Sequence, residues 1–232
     1  MLKTSALAVA AIAGSAWAVR GRSSSVFGPS VWRGNPKRKA IALTFDDGPS
    51  LSTPLFLDVL AEHRVPATFF QIGVNVVRHP DITRAVLAAG HEIGNHSHTH
   101  LNFAFKSRAV IEQDFADAQS AISSVTGAQP TLMRAPFGVR WPGFGSMQTK
   151  LGLTGVMWTV IGLDWKLLAA AISERVVERV ASGGIVCLHD GRDTRENPDV
   201  GPALESVRRI VPALIEAGYH FETVSQLLCR TI

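Results

Sequence analysis

Residues 40–49 read AIALTFDDGP: six mostly apolar positions, two adjacent carboxylates and a Gly-Pro turn. A short apolar run rich in β-branched and aromatic residues and closed by turn formers predicts a buried strand, here over Ala40–Phe45. Six further runs repeat the pattern at residues 67–72, 91–95, 131–134, 155–160, 185–188 and 219–224. Helical signals separate them. Thr53 precedes Pro54 as N-cap and first helical residue, Val110, Phe115, Ala118 and Ile122 recur at helical spacing, and apolar residues repeat through 172–180 and 204–214. Seven strands alternating with helices predict a parallel α/β architecture. Ionisable residues cluster just beyond the strand ends, which favours a barrel over an open sheet, because α/β barrels place their chemistry where strands give way to loops.

A chain of 232 residues suffices for one domain and its leader. The 46% hydrophobic and 18% charged composition excludes a disordered chain. A formal charge of +4 is scattered rather than striped; it favours an acidic cell-wall surface as a partner and argues against nucleic acid. The first residues, MLKTSALAVAAIAGSAWA, put Lys3 before an apolar run and end on a small-x-small pattern, as an export signal does. The expected division is a signal peptide over 1–18, an extended Ser/Gly/Arg/Pro-rich arm over 19–38 and a catalytic domain over 39–232. An uncleaved N-terminal anchor is the alternative; in either case the domain is exported, secreted or periplasmic, and expected to be a monomer. Cys187 and Cys229 are the only cysteines, so the choice is one disulfide or two thiols.

Asp46 and Asp47 point in different directions from a strand end, which lets one carboxylate bind a cation while the other stays free as a base. A solvated Asp-Gly turn is the plainer reading. Residues 95–100, NHSHTH, come at the end of the strand at 91–95, and His96 and His100 have the spacing to face one cation across a helical turn or a tight loop, with His98 pointing elsewhere. One carboxylate and two imidazoles suit catalytic zinc, which keeps open positions. Arg134, Asp164 and His189 each stand where an apolar run ends; singly they read as a surface cation, a helix cap and a loop residue. Trp141 is either core or a sugar platform.

Taken together these stretches resemble the polysaccharide deacetylases, the NodB-homology or carbohydrate esterase family 4 domain. TFDDG at 44–48, HSHTH at 96–100, RAPFG at 134–138, LDW at 163–165 and CLHD at 187–190 are the family's five motifs, in its order. The resemblance implies a distorted seven-stranded (β/α) barrel. It implies Asp46 as general base, Asp47, His96 and His100 as ligands of one divalent ion, zinc first with cobalt, nickel or manganese as alternatives, and His189 as general acid on the side opposite Asp46. It further implies that Arg134 orients Asp46, Asp164 tunes His189, Ser97 steadies the metal loop, and Phe137 and Trp165 line the sugar groove. The chain departs from the family in two places: Phe137 stands for a usual Tyr and Ile161 for a usual Asp. The first keeps the backbone N–H that serves an oxyanion; the second removes a carboxylate.

The implied substrate is an N-acetylated polysaccharide or oligosaccharide, chitin-like or peptidoglycan. Two rivals remain at this stage: hydrolysis of an acetyl ester, such as acetylated xylan, or of a non-sugar amide, and a silent envelope sugar-binding module. The intact set of ionisable residues disfavours the module.

Overall fold

The computed structural model describes residues 13–228. Among the described residues, nine strands form one parallel sheet: β1 (Ser30–Val31), β2 (Ala40–Asp46), β3 (Thr68–Gln71), β4 (Glu92–Asn95), β5 (Leu132–Met133), β6 (Thr154–Val156), β7 (Val160–Ile161), β8 (Gly184–His189) and β9 (His220–Phe221). They run β1-β6-β5-β4-β3-β2-β8-β7, with β9 beside the start of β2. The sheet curls into a half-barrel wrapped by helices. It is the expected α/β fold in a single domain.

Alternation along β2 shows how the sequence sets the interior. Ile41, Leu43 and Phe45 face outward and pack on Phe56, Leu60, Val207 and Ile210 of the helices at Thr53–His63 and Gly201–Glu216. Ala40 and Ala42 face inward with Phe70, Leu132 and Ile185. Both faces are covered, so the strand reads as a continuous apolar run. Each fully buried Phe or Leu contributes about 1.5–3 kcal/mol relative to exposure. Small inward residues on β2 leave room for a buried arginine, and the inward series ends on Thr44 and Asp46.

Several expectations are corrected in detail. The single run at 155–160 is two strands, because the chain changes partners: β6 pairs with β5 and β1, whereas β7 pairs with β8. The arm is not wholly extended, since 13–20 is helical and β1 adds a strand beside β6. The N-cap of the first helix after β2 is Ser52 rather than Thr53. The Thr53 hydroxyl instead accepts from the Ser50 N–H (2.8 Å) and donates to Asp190 Oδ2 (2.6 Å). The Arg108–Thr126 helix follows its sequence signals, capped by the Ser107 hydroxyl and ended by Gly127 at φ 73°. Residues 1–12 of the expected signal peptide, and Cys229, lie outside the described residues. Cys187 is a free, buried thiol. Among the described residues, no helix is long and apolar enough to cross a membrane.

Candidate active site

Five strand ends deliver the site. Asp46 closes β2, His189 closes β8, His96 follows β4, Arg134 follows β5 and Asp164 follows β7. Asp46, His96 and His189 line an open cavity of about 360 Å³ whose wall also includes Phe137, Trp158 and Trp165, with Arg134 and Asp164 behind it.

Asp46 and Asp47 diverge because their backbones differ: Asp46 is strand, whereas Asp47 sits in the left-handed region at φ 72°. Asp46 turns inward, where Arg134 Nη1 donates to its Oδ1 (2.6 Å) and to the Thr44 hydroxyl (2.8 Å). Arg134 is fully buried, with its guanidinium 4.1 Å from the Phe70 ring centre and Nε donating to the Val156 carbonyl. A charge so deeply buried needs its counter-ion, and Asp46 supplies it.

Asp47 turns toward the histidines. Its Oδ1 lies 3.1 Å from His100 Nε2 and 3.4 Å from His96 Nε2, yet this buried oxygen has no hydrogen-bond donor. The tautomers explain why. His96 Nδ1 faces the Arg134 carbonyl (2.8 Å), an acceptor only, and His100 Nδ1 faces Asp193 Oδ1 (3.0 Å), so both Nδ1 atoms carry the proton and both Nε2 atoms present lone pairs. Three lone pairs directed at one another repel unless a cation lies between them. All three ligand atoms fall within 4.8 Å of one another, and the residues fit a divalent ion held by one carboxylate and two neutral imidazoles. Burial opposes ionisation of Asp47, but His100 and His96 beside it hold its carboxyl well below the usual range. Burial likewise opposes charge on His100, while Asp47 and Asp193 push its pKa up, so that a proton on Nε2 and a cation compete for the same place beside Asp47.

The loop that carries the histidines is tied at several points. Ser97, at φ 67°, accepts the His100 N–H on its hydroxyl and donates its own N–H to Asn95 Oδ1. Asp114 accepts from the His98 and Thr99 backbone. His98 stays outside the ligand trio, as its position in the sequence implied.

His189 is anchored by one residue twice, since Asp164 accepts from its Nδ1 and from its backbone N–H, both at 2.9 Å. Burial disfavours the imidazolium, but Asp164, and then Asp47 and Asp46, outweigh it and push the His189 pKa up to about 9. The Trp165 ring stands edge-on to His189 at 5.3 Å. One expectation is corrected: His189 does not stand opposite Asp46. Its ring lies within 4.8 Å of the Asp46 carboxylate, because β2 and β8 are adjacent with Asp46 and His189 in register.

Phe137 is half-exposed at the cavity mouth, 4.7 Å from the His100 ring, and Ile161 lines the wall. Trp141 does not reach the cavity; it packs against Phe27 and Phe105. Trp158 takes a place in the wall that the sequence did not signal. Asp193 was missed as well, although its N–H donates to Asp47 Oδ2 (2.9 Å) and its carboxylate orients His100. Asn75 joins the two loops by donating to the Asp47 and Asp193 carbonyls. Neither residue has a local signal, since each acts on a partner far away in sequence. Asp190 is buried and pushed by that burial up to about 7, and it packs so close to Gly48 that a Cβ there would sit 2.3 Å from Oδ2. That contact excludes a side chain at 48.

A curled parallel sheet with a carboxylate–imidazole centre and a separate carboxylate and imidazole beside it defines a hydrolase of the barrel type. A sequence profile of the polysaccharide deacetylase family matches residues 33–156. The chain is 37% identical over 198 residues to a chitooligosaccharide deacetylase of Bradyrhizobium sp. (strain ANU 289), covering 82% of this chain and 90% of that protein. It is 36% identical over 201 residues to a peptidoglycan-N-acetylglucosamine deacetylase of Bacillus cereus, covering 85% and 92%. Among solved structures, the Bc1960 peptidoglycan N-acetylglucosamine deacetylase superposes with a TM-score of 0.80 at 28% identity, over 85% of this chain and 91% of that one. BA3943 of Bacillus anthracis, described as a family 4 pseudoenzyme, superposes at 0.79 with 26% identity, over 88% and 70%. The chain belongs to the polysaccharide deacetylase family and is an enzyme of that family.

Proposed function

We propose that this enzyme is a metal-dependent N-deacetylase of N-acetylated glycans, with Asp47, His96 and His100 holding one divalent ion, Asp46 as general base and His189 as general acid. The observation that carries the reading is the donorless Oδ1 of Asp47, buried between two imidazole lone pairs. The donor set favours zinc, with cobalt, nickel or manganese as substitutes. When bound, the ion supplies Lewis-acid polarisation of the acetyl carbonyl and lowers the pKa of water from 15.7 toward about 7.

The protein's own groups then divide the proton traffic. Arg134 occupies Asp46 Oδ1, so Oδ2, which accepts only a long hydrogen bond from the Cys187 thiol (3.4 Å), is the oxygen left to take a proton from the attacking water. The Phe137 backbone N–H is assigned to the developing oxyanion, a contact whose loss costs about 3 kcal/mol of barrier in comparable sites. An amine leaves poorly unless protonated. His189, protonated at neutral pH and held by Asp164 through Nδ1, gives its Nε2 proton to the leaving nitrogen. Acid and base standing side by side suit the reaction, because the entering oxygen and the leaving nitrogen are bonded to the same carbon. Phe137 and Trp165, both half-exposed at the mouth, offer faces for a sugar ring.

The named relatives act on chitooligosaccharides and on the N-acetylglucosamine of peptidoglycan, and the substrate here is assigned to the same class. The similarity to a pseudoenzyme means that fold alone carries no activity, so the assignment stands on the complete set of Asp46, Asp47, His96, His100 and His189. Export before action follows from residues 1–18, with the cell-wall surface as the place of work; sequencing the N-terminus of the exported protein checks the cleavage after Ala18. Acetate release from chitooligosaccharides, peptidoglycan and acetylxylan, measured side by side, tests the main reading. Release from an N-acetylglucosamine polymer that stops on chelation supports it; release from acetylxylan alone contradicts it.

A further inference from the structure

Strand β8 alternates faces, so Cys187 and His189 both look into the barrel while Val186 and Leu188 pack outward. β2 runs beside it with Thr44 level with Cys187 and Asp46 level with His189. A carboxylate oxygen of Asp46, the Cys187 sulfur and a His189 ring nitrogen thereby lie within 4.8 Å of one another, with Sγ 3.4 Å from Asp46 Oδ2. None of the three belongs to the Asp47–His96–His100 set. Arg134 holds Asp46 Oδ1 and Asp164 holds His189 Nδ1, while the Cys187 thiol, kept protonated by burial and by Asp46, donates to Oδ2; once that proton leaves, Oδ2, Sγ and Nε2 are the atoms open to a cation. The mechanism above assigns no step to the thiol.

Thiolate, imidazole and carboxylate together form a donor set suited to zinc and similar thiophilic ions. We propose that Asp46, Cys187 and His189 form a second, inhibitory site for a divalent cation, adjacent to the first. Occupation disables both proton carriers: Asp46 Oδ2 can no longer accept from water, and a coordinated Nε2 can no longer donate. The thiol proton, and the proton on Nε2 where present, leave to solvent as the ion binds. Arg134 and a first cation both repel a second, so this site fills after the Asp47 site. A low dose of zinc therefore activates and an excess inhibits. The inhibitory consequence rests on the roles given to Asp46 and His189, whereas binding does not.

Titration of the metal-free protein with Co2+ tests the site directly. The first equivalent is expected to give only the weak bands of nitrogen and oxygen ligation, and the second a strong thiolate-to-cobalt charge-transfer band in the near ultraviolet. Cys187→Ser and Cys187→Ala are expected to keep the first equivalent, to lose the band, and to need on the order of tenfold more zinc for inhibition of each variant's own uninhibited rate, the scale on which even outer partners of a metal act. Asp47→Asn should keep the band. No thiolate band at saturating Co2+, or excess-zinc inhibition unchanged in both Cys187 variants, overturns the proposal. A band without deacetylation of any N-acetylated glycan by the singly loaded protein leaves the cation site standing and removes the functional reading instead.

Discussion

The two halves of the pocket differ in how their polar atoms are satisfied. Around Asp47, His96 and His100, three lone pairs meet and a buried oxygen lacks a donor. Around Asp46 and His189, each reacting group has a protein partner already in place: Arg134 on one, Asp164 on the other. The first half calls for a cation, whereas in the second the reacting groups are held by the chain itself, with only the far nitrogen of Arg134, Nη2, left without a partner. The lesson is that a missing hydrogen bond can be as informative as a present one, because a folded protein leaves buried polar atoms unpaired at a cost of about 1–3 kcal/mol each.

Substitutions in the second half should act on proton transfer or stability and leave the cation alone. The largest effect is expected from Asp46→Asn, with turnover falling by about 10²–10⁴, the usual contribution of a positioned base. Steady-state rates with the first site saturated measure it, and a loss of only a few-fold would remove Asp46 from the mechanism. Arg134→Met strips a fully buried ion pair of one partner and is expected to destabilise the fold by about 3–5 kcal/mol in denaturant unfolding. An unchanged midpoint would mean that Asp46 finds compensation elsewhere.

The acid gives a smaller effect, read in pH. His189 is competent while protonated, and because its pKa is raised to about 9, amide hydrolysis should persist below that value and fall as pH rises through it. A cation offsetting Asp47 moves this limb somewhat lower. Asp164→Asn removes the nearest anion and should shift the limb further toward acid, while activated acetyl esters, whose leaving groups need no proton, show no such limb. A limb at the same pH in both proteins would break the link between Asp164 and His189. The smallest effect belongs to the cavity mouth: Phe137→Tyr adds a hydroxyl to a half-exposed ring and should change stability by less than about 0.5 kcal/mol.

Much of this was legible in the sequence, for reasons that differ by residue. The fold was readable because β2 and β8 are buried on both faces and their apolar runs stop at charge. The residues assigned here to ligand and proton-transfer roles stood out because most of them follow those runs directly. β1 was not legible, since two residues inside a Ser/Gly/Arg/Pro-rich arm carry no periodicity and pair only through β6. The break between β6 and β7 was hidden because a change of partner leaves no mark on hydrophobicity. Asp193 was invisible for a related reason: it acts on His100, 93 residues away, from a loop of unremarkable composition. The proximity of His189 to Asp46 depends on which strands are neighbours, and topology rather than local pattern decides that.

The division of labour between adjacent carboxylates is the central claim, and metal content measured on Asp46→Asn and Asp47→Asn in parallel tests it most directly. With both substitutions placed on a Cys187→Ser background, so that the second site does not compete, one equivalent of Zn2+ supplied and unbound ion removed by dialysis, Asp46→Asn is expected to retain close to one ion per chain while losing turnover, and Asp47→Asn to retain almost none. Equal metal loss in the two variants, or full retention by Asp47→Asn, would contradict the account.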